Sequence, residues 1–146
     1  NQEEFTGNIS WGNIYAHNGA TVTPINSVAD LDRITKEYSP GRTTIRGRNG
    51  SGKSAFIALL KEQFGEKSFL LPPHSDLIFL STYDKSLSTG EKMIHILEEI
   101  EQNINTNILL LDEWDANLDA MNIENISKKI NDIAKRVCII EIRHRE

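Results

Sequence analysis

An α/β fold, with a mainly parallel sheet flanked by helices and a small N-terminal antiparallel β region, is the architecture this sequence predicts. Three observations point to it. Short apolar runs alternate with segments whose apolar residues recur every three or four positions. A glycine-rich loop lies between an apolar strand and a helical segment. The chain has 146 residues, enough for one domain and not comfortably for two. A domain of that size buries roughly 68–70% of the surface its unfolded chain exposes, so it needs no disulfide or metal staple.

Residues 7–16 alternate Ile9, Trp11, Ile14 and Tyr15 as a half-exposed strand would. Residues 28–38 read as a short amphipathic helix, punctuated by Ser39-Pro40-Gly41. A strand is expected over 43–46, running into the glycine-rich loop, and a helix over 55–64. Two short apolar strands follow, over 68–71 and 77–80, around Pro72-Pro73. Met93, Leu97, Ile100 and Ile104 share one face of a second helix, and residues 108–111 form a four-residue apolar run suited to a buried parallel strand. Ile123, Ile126, Ile130 and Ile133 mark the core face of a third helix, before a last strand over 137–142. The ligand is expected at the carboxyl ends of these strands.

Composition narrows the function. Sixteen basic against 21 acidic residues leave a net charge of -5, so no general electrostatic grip on nucleic acid is expected. Cys138 is the only cysteine, which excludes an internal disulfide and a Cys-cluster zinc site. The longest apolar run, over 55–60, is far short of a membrane span. No signal peptide is legible, and the opening Asn1 leads us to expect a piece excised from a longer chain.

The strongest signal is Gly47-Arg48-Asn49-Gly50-Ser51-Gly52-Lys53-Ser54, a complete G-x-x-x-x-G-K-S between strand and helix. Such a loop turns successive backbone N–H groups inward around phosphate oxygens. Lys53 would reach the β and γ phosphates and the Ser54 hydroxyl would bind Mg²⁺. The helix that starts there points its positive end at the same anion. The second signal is the apolar run into Asp112-Glu113. Asp112 is placed to hold Mg²⁺, and Glu113 to polarise an attacking water as general base. A nucleotide and Mg²⁺ are therefore the expected ligands.

Leu87-Ser88-Thr89-Gly90-Glu91-Lys92 stands before a helix, 25 residues ahead of Asp112. It resembles the LSGGQ signature of the ATP-binding cassette (ABC) superfamily, with Thr89 for the first glycine and Glu91 for glutamine. Ser88 with Glu91 also reads as a capping box. Asp115-Ala116-Asn117-Leu118-Asp119 is similar to the family's D-loop, and His144 follows the last strand where the family places its switch histidine. The resemblance implies one ABC-type P-loop NTPase domain over 1–146 that pairs head to tail with a second copy or a homologous domain. Residues 47–54 of one subunit would then cradle ATP while Ser88 and Gly90 of the other cap the γ-phosphate. Lys53, Glu113 and His144 would act on that phosphate, and Asp119 would speak across the interface.

The pattern departs from the family in places. The helical subdomain of transporters is largely absent between 65 and 87, and Pro73 stands where the Q-loop glutamine would be. Tyr15 and Trp11 both qualify as the aromatic platform for adenine, with packing as the competing role. Trp114 reads as a packing residue, Arg143 and Arg145 as surface charges with contact to phosphate as the alternative, and Lys128, Lys129, Lys135 and Arg136 as a solvated face. The leading expectation is the ATPase domain of an exporter-type ABC transporter on the cytoplasmic side of a membrane. Its transmembrane domain would lie upstream, because Phe5-Thr6-Gly7-Asn8-Ile9-Ser10-Trp11 resembles the strand exporters place after their membrane helices. The alternatives are a soluble chromosome-maintenance or repair ATPase of the same superfamily and a nucleotide-binding module without turnover.

Overall fold

The computed structural model describes residues 9–30, 38–72, 89–103, 107–116 and 118–144. Six strands form one mixed sheet: β1 (Ile14–Asn18), β2 (Thr21–Ile25), β3 (Gly41–Gly47), β4 (Ser68–Leu71), β5 (Ile108–Asp112) and β6 (Cys138–Ile142). Among the described residues three long α-helices flank it: α1 (Lys53–Phe64), α2 (Thr89–Asn103) and α3 (Ala120–Ile133). The strand order is β2-β1-β3-β6-β5-β4. Strands β3, β6, β5 and β4 run parallel, and β1 pairs antiparallel with both β2 and β3.

Strands β5 and β6 are buried along their whole length, so their sequences are continuous apolar runs rather than alternating ones. Their side chains divide between two cores. Ile108, Leu110, Ile140 and Ile142 pack with Phe56, Ile57 and Leu60 of α1, beneath Ile14, Ala16 and Ile45. Leu109, Leu111 and Ile139 face the other way, onto Leu97 and Ile100 of α2 and Ile126, Ile130 and Ile133 of α3. Each such Ile or Leu contributes about 1.5–3 kcal/mol through its burial. Lys129 and Arg136 do not belong to a purely solvated face: both pair with Glu101 of α2 and tie α2 to the end of α3.

The N-terminal region differs from the expected strand over 7–16. Residues 9–13 form turns, in which the Gly12 N–H donates to Ile25 O (2.8 Å), and the strand starts at Ile14. Trp11 therefore packs edge-on against Phe56 at 5.9 Å instead of standing in a strand. The strand likened to that of exporters does not form over residues 9–11, and residues 5–8 are not among those described. Strand β2 is an addition: Asn18-Gly19 turns the chain tightly into it, and Pro24 is tolerated because β2 is an edge strand. The strand expected over 77–80, most of the helix over 28–38, and Ile104 lie outside the described residues. No helix among the described residues is long and apolar enough to cross a membrane.

Burial of Cys138 in β6 pushes its thiol up to about 11. At pH 8 about one thiol in a thousand is then ionised, and only the thiolate reacts. A thiol reagent at pH 8 is expected to leave the native chain unlabelled over hours and to label it at once in denaturant; fast labelling without denaturant would contradict the buried placement.

Candidate functional site

Strand β6 separates β3 from β5, and all three end at the same edge of the sheet. The connection leaving β3 runs into α1 on one face, whereas that leaving β5 runs into α3 on the other. A cleft of about 380 Å³ opens between them, lined by Asn49, Gly50, Gly52, Lys53, Ser54, Ala55, Glu113, Arg143 and His144.

The loop between β3 and α1 is built by close approach. A Cβ on Gly47 would stand 2.6 Å from Ser51 Oγ and 3.2 Å from Asn13 O, so a side chain there would force the loop open. Gly52 takes φ +91° at the head of α1, a conformation that leaves the first helical N–H groups facing the cleft. No side chain caps that helix end and no acidic residue stands in its first turn. Lys53 Nζ donates to Gly47 O (2.7 Å), so the ammonium lies along the loop it would share with a phosphate. Ser51 Oγ, within the loop, is buried with no hydrogen-bond partner among the described residues. These features fit a polyanion.

Strand β5 delivers the acidic side. Ser54 Oγ donates to Asp112 Oδ1 (3.2 Å), bringing together two hard oxygen ligands from separate elements. Burial pushes the Asp112 carboxyl above its ordinary pKa; the Ser54 hydrogen bond lowers it and neighbouring Glu113 raises it. A divalent cation held by Ser54 and Asp112 would relieve this cost, which is the sense in which the pair suits Mg²⁺. Glu113 has φ +52°, a left-handed backbone that costs a non-glycine residue about 1–2 kcal/mol. Its N–H donates to Ile142 O (2.8 Å) and its C=O accepts from Ala116 N (3.2 Å), which fixes the turn. His144 Nδ1 lies 2.8 Å from Glu113 Oε2. An ionised carboxylate only accepts, so Nδ1 carries the proton and donates.

Asp115, fully buried, accepts from the His144 backbone N–H (2.5 Å) and faces Arg143 Nε at 3.4 Å. The sequence reading missed this clamp. It also took Arg143 for a surface charge, whereas its side chain is only 23% exposed and lies over the Trp114 ring at 4.6 Å. Trp114 does more than pack: its Nε1–H donates to buried Glu141 (2.6 Å). A lone Glu inside the apolar run of β6 was the available signal, since a buried carboxylate must find donors.

Tyr15 is 38% exposed on β1, opposite Arg46, and does not line the cleft; Trp11 is committed to Phe56. Asp119 is the N-cap of α3, accepting from Asn122 N at 2.8 Å. Gly90 is buried against the Asn122 amide, 2.2 Å from where its Cβ would be. Ser88 and Pro73 lie outside the described residues. No family model, curated protein or solved structure matches this chain.

Two substitutions test these placements. Asp112→Asn removes a charge that burial penalises. The raised pKa means that stability is present below the ordinary carboxyl range and lost as pH rises. The variant is therefore expected to melt higher than the parent at pH 7 without metal, with the gap closing as pH falls. A lower melting temperature at pH 7 would contradict this. Gly90→Ala meets only the amide end of half-buried Asn122, which has room to swing aside, and gains up to about 0.5–1 kcal/mol of helix propensity. It is expected to melt at or slightly above the parent value; a melting temperature several degrees lower would contradict this.

Proposed function

We propose that the chain binds Mg-ATP in the cleft and hydrolyses it, as an ATPase domain of the ABC type. The observation that carries this reading is the convergence of two pairs at one phosphate-binding loop: Ser54 with Asp112, and Glu113 with His144. The loop N–H groups and the uncapped start of α1 supply donors for the phosphates, and Lys53 adds a positive charge held along the loop. Mg²⁺ bound by Ser54 and Asp112 supplies charge neutralisation for the phosphate oxygens. Glu113 accepts the proton of the attacking water as its oxygen bonds to the γ-phosphorus and the bond to the ADP oxygen breaks. His144 keeps the Glu113 carboxylate oriented through Nδ1.

In this proposal two copies pair head to tail, and the 88–90 segment of one completes the cleft of the other. The work that pairing drives is set by the coupled partner. In the transporter form it is a transmembrane domain of the same parent chain. Several apolar segments of about 20 residues in the upstream reading frame are expected for that form, and their absence favours the soluble chromosome-maintenance or repair form.

Lys53→Ala is expected to weaken Mg-ATP binding about 10- to 100-fold by calorimetry, as loss of a charge-assisted contact does. Glu113→Gln is expected to keep that affinity while turnover falls about 10²- to 10⁴-fold. Unimpaired turnover in Glu113→Gln would refute the general-base assignment; unchanged ATP affinity in Lys53→Ala would refute the phosphate cradle.

A further inference from the structure

The nucleotide chemistry leaves one buried cluster without a task. Glu141 is 1% exposed in β6, among Cys138, Ile139, Ile140 and Ile142. An ionised carboxylate in such a place needs donors around it. Glu141 has four: Arg42 Nε (2.5 Å) and Nη2 (2.9 Å) in a bidentate fork, Thr44 Oγ1 (2.8 Å) and Trp114 Nε1 (2.6 Å). Arg42 is in turn held by Ser127 Oγ (2.9 Å) and Asn131 Oδ1 (2.8 Å) of α3. The cluster thus joins β3, β6 and α3, and the Trp114 indole links it to the residues after β5. Trp114 is 3% exposed and follows directly on Glu113, whose left-handed backbone must be held by its surroundings.

We infer that Trp114 is a positioning residue for Glu113: its indole N–H, anchored on Glu141, pins the turn that presents the Glu113 carboxylate to His144 and the phosphate loop. Main-chain bonds to Ile142 and Ala116 set the path of the turn, and the indole fixes its rotation about that path. Arg143, stacked on the other side of the ring and paired with Asp115, closes the clamp from the His144 side. Glu141, Arg42, Thr44 and Trp114 do not line the cleft, so the anchor acts on Glu113 through the turn. This inference rests on the proposed reading of Glu113 as general base.

The test is Trp114→Phe in the full chain, which keeps a ring beneath Arg143 and deletes the N–H. Glu141→Gln is the second variant, altering the anchor without changing its size. Melting temperature, Mg-ATP affinity and steady-state kinetics are measured for both beside the parent. With both variants folded, kcat is expected to fall about 10- to 100-fold, as displacement of a catalytic group does, while ATP affinity stays within about twofold. Parent turnover that both variants retain within about twofold would overturn the inference and leave Glu113's role standing. Equal losses of affinity and kcat would mark a merely structural role and would also overturn it. Absence of turnover in the parent, with ATP bound, would instead overturn the reading of Glu113 itself.

Discussion

Strands β5 and β6 have no face turned to water, and most of the molecule follows from that constraint. Side chains on both faces must be apolar, so α1 is needed on one side and α2 with α3 on the other. Polar groups are driven to the strand ends. At the carboxyl edge the chain leaves β5 through Asp112 and Glu113 and leaves β6 through Arg143 and His144. Because these strands are hydrogen-bonded neighbours in parallel, those residues meet: Asp112 pairs in register with Ile142. The glycine-rich loop leaves β3 on the far side of β6 and closes the cleft from there.

Glu141 is the exception that the burial constraint makes expensive. A charge inside the sheet survives only because Arg42 and Thr44 on β3 and Trp114 after β5 surround it. Removing one partner of such a buried pair costs about 3–5 kcal/mol, which is far more than an exposed ion pair contributes. The exposed pair Lys128–Glu124 on α3 belongs to that weaker class. A polar cluster of this kind is a costly way to join β3, β6 and α3, and through Trp114 it also reaches the turn after β5, one residue beyond Glu113.

What could be read beforehand was what the chain writes contiguously. Residues 47–54, the Asp112-Glu113 pair and the isoleucine stripe of α3 each carry their signal within a dozen positions. The structure arranges them around one sheet, with α1 starting at Lys53. Strand β2 was missed because an edge strand with Thr21, Thr23 and Pro24 shows no apolar alternation. Its evident cue, Asn18-Gly19, is a turn signal rather than a strand signal. The strand placed over 7–16 forms only from Ile14 onward, because the chain turns at Gly12 just before it. The Glu141 cluster was illegible for another reason. Arg42, Trp114 and Arg143 are distant in sequence, and each alone resembles an ordinary surface or packing residue. Asp119 and Gly90 show a further limit: both have intramolecular tasks in α2 and α3 that a motif reading does not reveal.

The most direct test of the central claim is the Mg-ATP hydrolysis rate per chain, measured as a function of chain concentration. A cleft completed by a second copy requires the specific rate to climb with concentration until the pairs are saturated. A measurable rate that stays flat across the range would mean that a single chain carries the whole site. No turnover at any concentration, with ATP still bound, would contradict the claim of hydrolysis outright.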